Sequence, residues 1–263
     1  MKNLLVFLLF SHILFSQTPE NQYFKSFDGV KIAYFVEGAG KPIMLVPGFR
    51  GTKNNWQNTP LKNKLITANY QVISMDTRGL GFSDKPQKNE DYADDAEVKD
   101  LIALANHLNF KKYDCLGYSR GSILTAKLLT KDKRIKKAVL GGMGEDFTNP
   151  NWDRRIMFAE IFGGKAHLYP DGPAILADAQ KRNLDTLLLG YMQRNQPVTT
   201  VNELNKIKIP VLVISGDKDI DNGHPDVLVK YFKKGVLKIT DGNHGGAVRT
   251  ERFAEEVLKF LKE

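Results

Sequence analysis

Apolar residues follow two rhythms along this chain. Short runs rich in Val, Ile and Leu, bounded by turn residues, occur at Ile43–Val46, Gln71–Met75, Tyr113–Leu116, Lys137–Leu140, Val211–Ser215 and Val236–Ile239. Continuous apolar runs of this length suit strands covered on both faces, as in parallel sheets. Between them the spacing becomes helical. Val98, Leu101, Ile102, Ala105 and Leu108 repeat with helical spacing within Glu97–Leu108. Phe253, Val257 and Leu261 do the same within Thr250–Lys262, and Ser122–Leu129 reads as a short helix. The alternation predicts an α/β fold: a mostly parallel central sheet with helices on both faces. Tyr23–Glu37, with Phe27-Asp28-Gly29 between two extended stretches, predicts an antiparallel hairpin at the sheet edge. From Gly141 to Ile209 the rhythm breaks. Trp152–Phe162, Pro173–Arg182 and Asp185–Arg194 read as short helices, so a small helical lid is expected at roughly 147–205, after the sixth strand.

The first residues follow a third pattern. Lys2 precedes an apolar run from Leu4 to Phe15, broken by Ser11 and His12. A membrane-spanning helix needs about 20 apolar residues, so this run is short for one. A charged start, a short apolar stretch and a small residue near its end describe a secretory signal peptide. The expectation is a signal at 1–16, cleaved after Ser16, and a periplasmic or secreted domain at 17–263 with no stable membrane insertion. The rival reading is an uncleaved anchor.

Composition narrows the class. The chain has 263 residues, 42% hydrophobic and 26% charged, which suits one globular domain. Cys115 is the single cysteine, so an intramolecular disulfide is impossible, and its apolar neighbours make it a buried small hydrophobe. The net charge of +8 includes Lys131, Lys133, Arg134, Lys136 and Lys137. No nucleic-acid motif or interleaved aromatic accompanies them, so they read as a solvated face, not a nucleic-acid site.

Candidate chemistry centres on Gly117-Tyr118-Ser119-Arg120-Gly121, which follows a strand and opens a helix. That context is what a nucleophile elbow requires: a turn too tight for side chains at its glycines, presenting the serine hydroxyl above the sheet. A serine nucleophile needs a base. Of the five histidines, His12 falls in the N-terminal run, and His107, His167 and His224 suit a helix end, the lid and a polar loop. His244 lies in a glycine-bearing loop, Asp241–Gly246, between the last strand and the last helix, and is the base by position. The orienting acid is expected just after Val211–Ser215, where Asp219 is placed further along the loop than its competitor Asp217. Oxyanion donors are expected from the backbone N–H of Arg120 and, since Pro47 has none, of Phe49. Trp56, Tyr118, Phe158, Phe162 and Tyr191 are candidates for an apolar substrate pocket or for plain packing. Arg50 and Arg120, beside the two donors, suggest a bias toward carboxylate-bearing substrates; the alternatives are a buried ion pair for Arg120 and a solvent-facing Arg50.

Together these residues resemble the α/β-hydrolase superfamily, specifically single-domain carboxylesterase-like members with a small helical lid. The resemblance includes Asp76-Thr77-Arg78-Gly79-Leu80-Gly81-Phe82-Ser83, which is similar to a structural turn found after the fourth strand in that family. Two positions depart from the pattern: Pro47-Gly48 stands where His-Gly is common, and Arg120 where Met or Gln often follows the nucleophile. The resemblance implies hydrolysis of a small-molecule carboxylic ester through a Ser119 acyl-enzyme with Asp219 and His244. No metal or organic cofactor is expected: no ligand cluster has metal spacing and no dinucleotide fingerprint follows the first strand. Lactonase, amidase, carbon–carbon bond hydrolase and perhydrolase chemistry share this machinery, and a slow-turnover ligand-binding receptor would keep its pocket. A surface-anchored interaction protein using the lysine-rich face is a third class.

Overall fold

The computed structural model describes residues 20–263. The expected signal at 1–16 lies outside them. Eight strands form one sheet: β1 (Gln22–Lys25), β2 (Lys31–Glu37), β3 (Lys41–Val46), β4 (Tyr70–Met75), β5 (Tyr113–Tyr118), β6 (Ile135–Gly141), β7 (Val211–Gly216) and β8 (Gly235–Thr240). Their spatial order is β1-β2-β4-β3-β5-β6-β7-β8. β1 and β2 form the edge hairpin, with Phe24 opposite Ile32, and β2 runs antiparallel to β4. All later pairings are parallel.

Helices cover both faces. On one, α2 (Ala96–His107) and α3 (Arg120–Lys131) pack Leu101, Leu104, Ile123 and Leu124 against Met44, Val46, Cys115 and Val213. On the other, α1 (Pro60–Thr67) and α9 (Glu251–Lys262) pack Leu61, Leu65, Phe253 and Val257 against Ile43, Leu45, Leu116 and Leu212. Alternate residues of each central strand thus feed opposite cores, the period-two consequence of the pleat. α1 was not legible in the apolar pattern. Local chemistry starts it: Thr59 Oγ1 accepts from Lys62 N at 3.3 Å, and Pro60 occupies the first turn.

Between β6 and β7 the chain makes a helical excursion: α4 (Asp153–Glu160), α5 (Gly172–Lys181), α6 (Thr186–Arg194) and α7 (Val201–Leu204). This insert has its own small core, including Ile161, Phe162, Leu188, Leu189 and Met192. α8 (Pro225–Leu228) follows β7. One strand departs from the expected double burial. β8 is the far edge of the sheet, and Val236 and Ile239 remain 37% and 41% exposed. No described helix is long and apolar enough to cross a membrane.

The Asp76–Ser83 turn is a buried polar knot. Asp76 accepts from the backbone N–H of Lys53 at 2.8 Å and of Phe82 at 2.9 Å, and pairs with the Lys53 ammonium at 2.9 Å. Arg78, fully buried, makes a two-point contact with Asp100 at 2.7 Å through each bond. Ser83 donates to the Asp76 carbonyl and accepts from Ala33 N–H, so its hydroxyl is occupied in fastening β2.

Candidate active site

α1 carries the chain from β3 to β4 on one side, and α2 returns it to β5 on the other side of β3. The crevice at the strand C-termini beside such a reversal is where ligands enter open α/β sheets. Ser119 stands there, between β5 and α3. Its φ of 55° and ψ of −128° put a non-glycine residue in a strained region, at a cost of about 1–3 kcal/mol. The crossing that enforces this strain needs both glycines. A Cβ on Gly117 would lie 2.1 Å from the Gly121 carbonyl oxygen, and one on Gly121 would lie 2.2 Å from that of Val46.

His244 comes from the loop after β8. Its Nε2 is 2.9 Å from Ser119 Oγ, and its Nδ1 is 3.0 Å from both oxygens of Asp219. A carboxylate can only accept, so the proton sits on Nδ1 and Nε2 is left to accept from the serine. Asp219 is buried and its Oδ2 also accepts from Ser215 Oγ at 3.2 Å. The competitor Asp217 is exposed and instead accepts from Gly242 N–H at 2.7 Å, bracing the histidine loop. The remaining described histidines lie apart from this cluster. His107 meets Tyr34 Oη at 3.1 Å, while His167 and His224 are exposed.

One further hydrogen bond holds His244, and an amide lies beside its ring. Tyr118 donates from Oη to the His244 carbonyl at 2.6 Å, with its ring between those of His244 and Phe253. Burial, and then the charge of Asp219, push the Tyr118 phenol well above its ordinary range, so it stays a donor. Asn222, 4% exposed, donates to the Gly142 carbonyl at 3.1 Å and lies 3.3 Å from His244 Nδ1. Sequence reasoning missed Asn222, because nothing in a polar loop marks which amide will turn toward the ring. Donor atoms of Asp219, Asp221 and His244 fall within 4.8 Å of one another, a convergence that linear spacing had not suggested. His244 Nδ1 is turned to Asp219, and Asp221 faces Arg154 at 3.7 Å.

The loop after β3 lies against the serine: a Cβ on Gly48 would sit 3.2 Å from Ser119 Cβ. Among the described residues, neither the Phe49 nor the Arg120 N–H donates to another group. The two arginines beside them take different courses. Arg120 is buried in a two-point pair with Glu97 and also donates to the Met192 carbonyl at 2.9 Å, tying α3 to α2 and α6. Its side chain thus takes the alternative of a buried ion pair. Arg50 reaches Asp178 of α5 at 2.9 Å.

The cleft has two arms meeting at Ser119 and His244. Trp56 and Tyr118 line one, together with Pro47 and Val248. Phe158 lines the other, whereas Phe162 packs on Phe49 and Tyr191 packs on Tyr92 within or beside the insert. Cys115 lies beneath the sheet surface, fully buried, its thiol pushed up to about 12 by burial.

The sequence profile of the α/β-hydrolase fold matches residues 41–159. The chain is 30% identical over 223 residues to a putative non-heme chloroperoxidase of Synechocystis, covering 72% of this chain and 78% of that one. It is 32% identical to a non-heme haloperoxidase of Rhodococcus erythropolis, covering 89% and 97% respectively. An esterase structure from Exiguobacterium antarcticum superposes with a TM-score of 0.72 at 20% identity, over 93% of this chain and all of that one. The chain belongs to the α/β-hydrolase fold family.

Proposed function

We propose that this protein is a serine hydrolase that cleaves carboxylic esters of small molecules through an acyl-enzyme. The observation that carries the reading is the continuous hydrogen-bonded line from Asp219 through His244 to Ser119, at 3.0 and 2.9 Å. In this mechanism Ser119 Oγ attacks the ester carbonyl while His244 Nε2 takes its proton. The N–H groups of Phe49 and Arg120 receive the oxyanion, aided by the N-terminus of α3. His244 returns the proton to the departing alcohol. Water, deprotonated by His244, then releases the acid and restores Ser119. The insert between β6 and β7 serves as a lid over one arm of the cleft, and residues 1–16 as a cleaved export signal. No step needs a metal or organic cofactor.

The haloperoxidase names of two relatives favour a second acceptor for the same acyl-enzyme. Hydrogen peroxide in place of water would take the acyl group and yield a peracid plus free Ser119. A fluorophosphonate probe tests the core reading. Wild-type protein is expected to label and to turn over short nitrophenyl esters, and Ser119→Ala, shown folded by circular dichroism, to do neither. Retention of most activity in that variant would remove Ser119 from the mechanism. Peracid formation from an acyl donor and peroxide separates the two acceptors.

A further inference from the structure

The two arms of the cleft differ in charge. One, about 580 Å³ with its open mouth, is lined by Arg50, Arg120, Arg154 and Arg155 and by no carboxylate. Three of these arginines have acidic partners beyond the lining: Glu97 for Arg120, Asp178 for Arg50, and Asp221 for Arg154. Arg155 has none among the described residues; its guanidinium donates only to the Arg194 carbonyl at 3.0 Å. Asp219, the remaining acid nearby, sits behind His244 and is engaged by it. Asp178 also pairs with Arg182 at 3.7 Å, so the guanidinium charges of this arm outnumber their carboxylate partners. Burial, and then the neighbouring charge of Arg120, hold the Arg155 guanidinium below its ordinary pKa.

A second, independent observation comes from α6 and the residue pair beyond it. Gln193 and Gln196 line the same arm, and each is only 4% exposed. Their side-chain amides are not sealed polar atoms lacking a partner; they open onto the cleft. Amides open to a cleft can donate to an oxygen that binds there. The other arm offers Pro47, Trp56, Tyr118 and Val248, with Arg249 exposed at its edge.

We propose that the arm lined by Arg155, Gln193 and Gln196 binds a carboxylate carried by the substrate. A carboxylate accepts through two oxygens, matches the planar guanidinium, and leaves room for amide donors at its remaining lone pairs. Its negative charge offsets part of that excess. The less polar half of the substrate then occupies the arm lined by Trp56 and Tyr118, with the scissile carbonyl at Ser119. This assignment rests on the ester-hydrolase reading and narrows it to acidic esters. It also moves the specificity role away from Arg120, which Glu97 already engages, to Arg155.

The test uses two matched pairs of esters. Mono-4-nitrophenyl adipate against 4-nitrophenyl hexanoate places the charge on the acyl side; 4-(butyryloxy)benzoate against 4-(butyryloxy)benzamide places it on the alcohol side. Wild-type protein is expected to favour the acidic member of at least one pair by about tenfold or more in kcat/KM, the gain expected of a charge-assisted contact. Arg155→Gln is expected to remove most of that ratio and Arg155→Lys to keep part of it. Equal kcat/KM within both pairs, or a ratio unchanged in folded Arg155→Gln, overturns the assignment. Should Arg155→Gln not fold, inhibition of wild-type turnover decides: adipate must inhibit more strongly than adipamide, and equal inhibition overturns the proposal. Absence of turnover on all four esters would be a failure of ester hydrolysis itself. Calorimetric titration with adipate and adipamide then still reads the subsite, and equal binding of the two overturns it.

Discussion

Asp217 and Asp219 stand two residues apart, yet their surroundings give them different work. Asp219 is buried against His244 Nδ1, where it holds one tautomer and, in the proposed mechanism, stabilises the imidazolium formed when Ser119 is deprotonated. Asp217 is exposed and holds one backbone amide of the histidine loop. Asp219→Asn is therefore expected to lower turnover by up to about 10⁴-fold, and Asp217→Asn by far less. Steady-state kinetics of the two folded variants check the ranking; a reversal would reassign the orienting acid. Arg120 illustrates how one backbone and one side chain separate in role. Its amide lies at the elbow and is the proposed oxyanion donor, while its guanidinium fastens α3 to Glu97 and to the Met192 carbonyl.

At the scale of elements, the site depends on joints remote from it. The β4 turn secures Asp76 to Lys53 and Arg78 to Asp100, so that β2, β4 and α2 share one buried polar junction. Removing one member of a buried pair leaves an uncompensated charge, which costs more than the pair contributed. Arg78→Met is expected to lower stability by about 3–5 kcal/mol, read as a shift of the urea midpoint at unchanged m-value. The double variant Arg78→Met with Asp100→Leu, lacking the stranded carboxylate, is expected to recover part of that loss. If the single variant is as stable as wild type, the junction is not a structural joint. The elbow itself shows why strand–turn–helix context was informative: Gly117 and Gly121 leave no space for a Cβ, so the crossing of β5 and α3 demanded them. The apolar pattern lacked a comparable signal for α1, whose start depends on the Thr59 cap and Pro60.

For the whole molecule, the sheet is a platform and the insert supplies the chemical character of one arm. α4 contributes Arg154, Arg155 and Phe158, and Gln193 lies on α6. The proposed catalytic and specificity groups thus reside on separate parts of the chain, consistent with one triad serving several acyl chemistries. The export signal proposed for residues 1–16 is tested on the full chain. Expressed in a secreting host, the protein is expected to appear outside the cytoplasm with Gln17 as its first residue. Intact-mass measurement on the exported material checks this; retention of Met1 on a membrane-associated product would make the segment an anchor.

Local sequence determined the parts whose constraints are local. The alternating rhythm specified a parallel sheet with helices on both faces, because double burial and helical stripes leave direct marks on residue order. The elbow was legible because steric exclusion of Cβ atoms restricts which residues can stand at Gly117 and Gly121. His244 and Asp219 were legible because they follow strands whose C-terminal ends face the same edge. Tertiary structure alone decided which side chains look into the cleft. Arg155 and Ser119 are separated by α3 and β6, and no periodicity records that they line the same arm. The sequence showed Arg50 and Arg120 beside the oxyanion donors, but ion pairing with distant carboxylates engages both. Charge in a cleft is a sum over long-range partners, and only the folded chain brings those partners together.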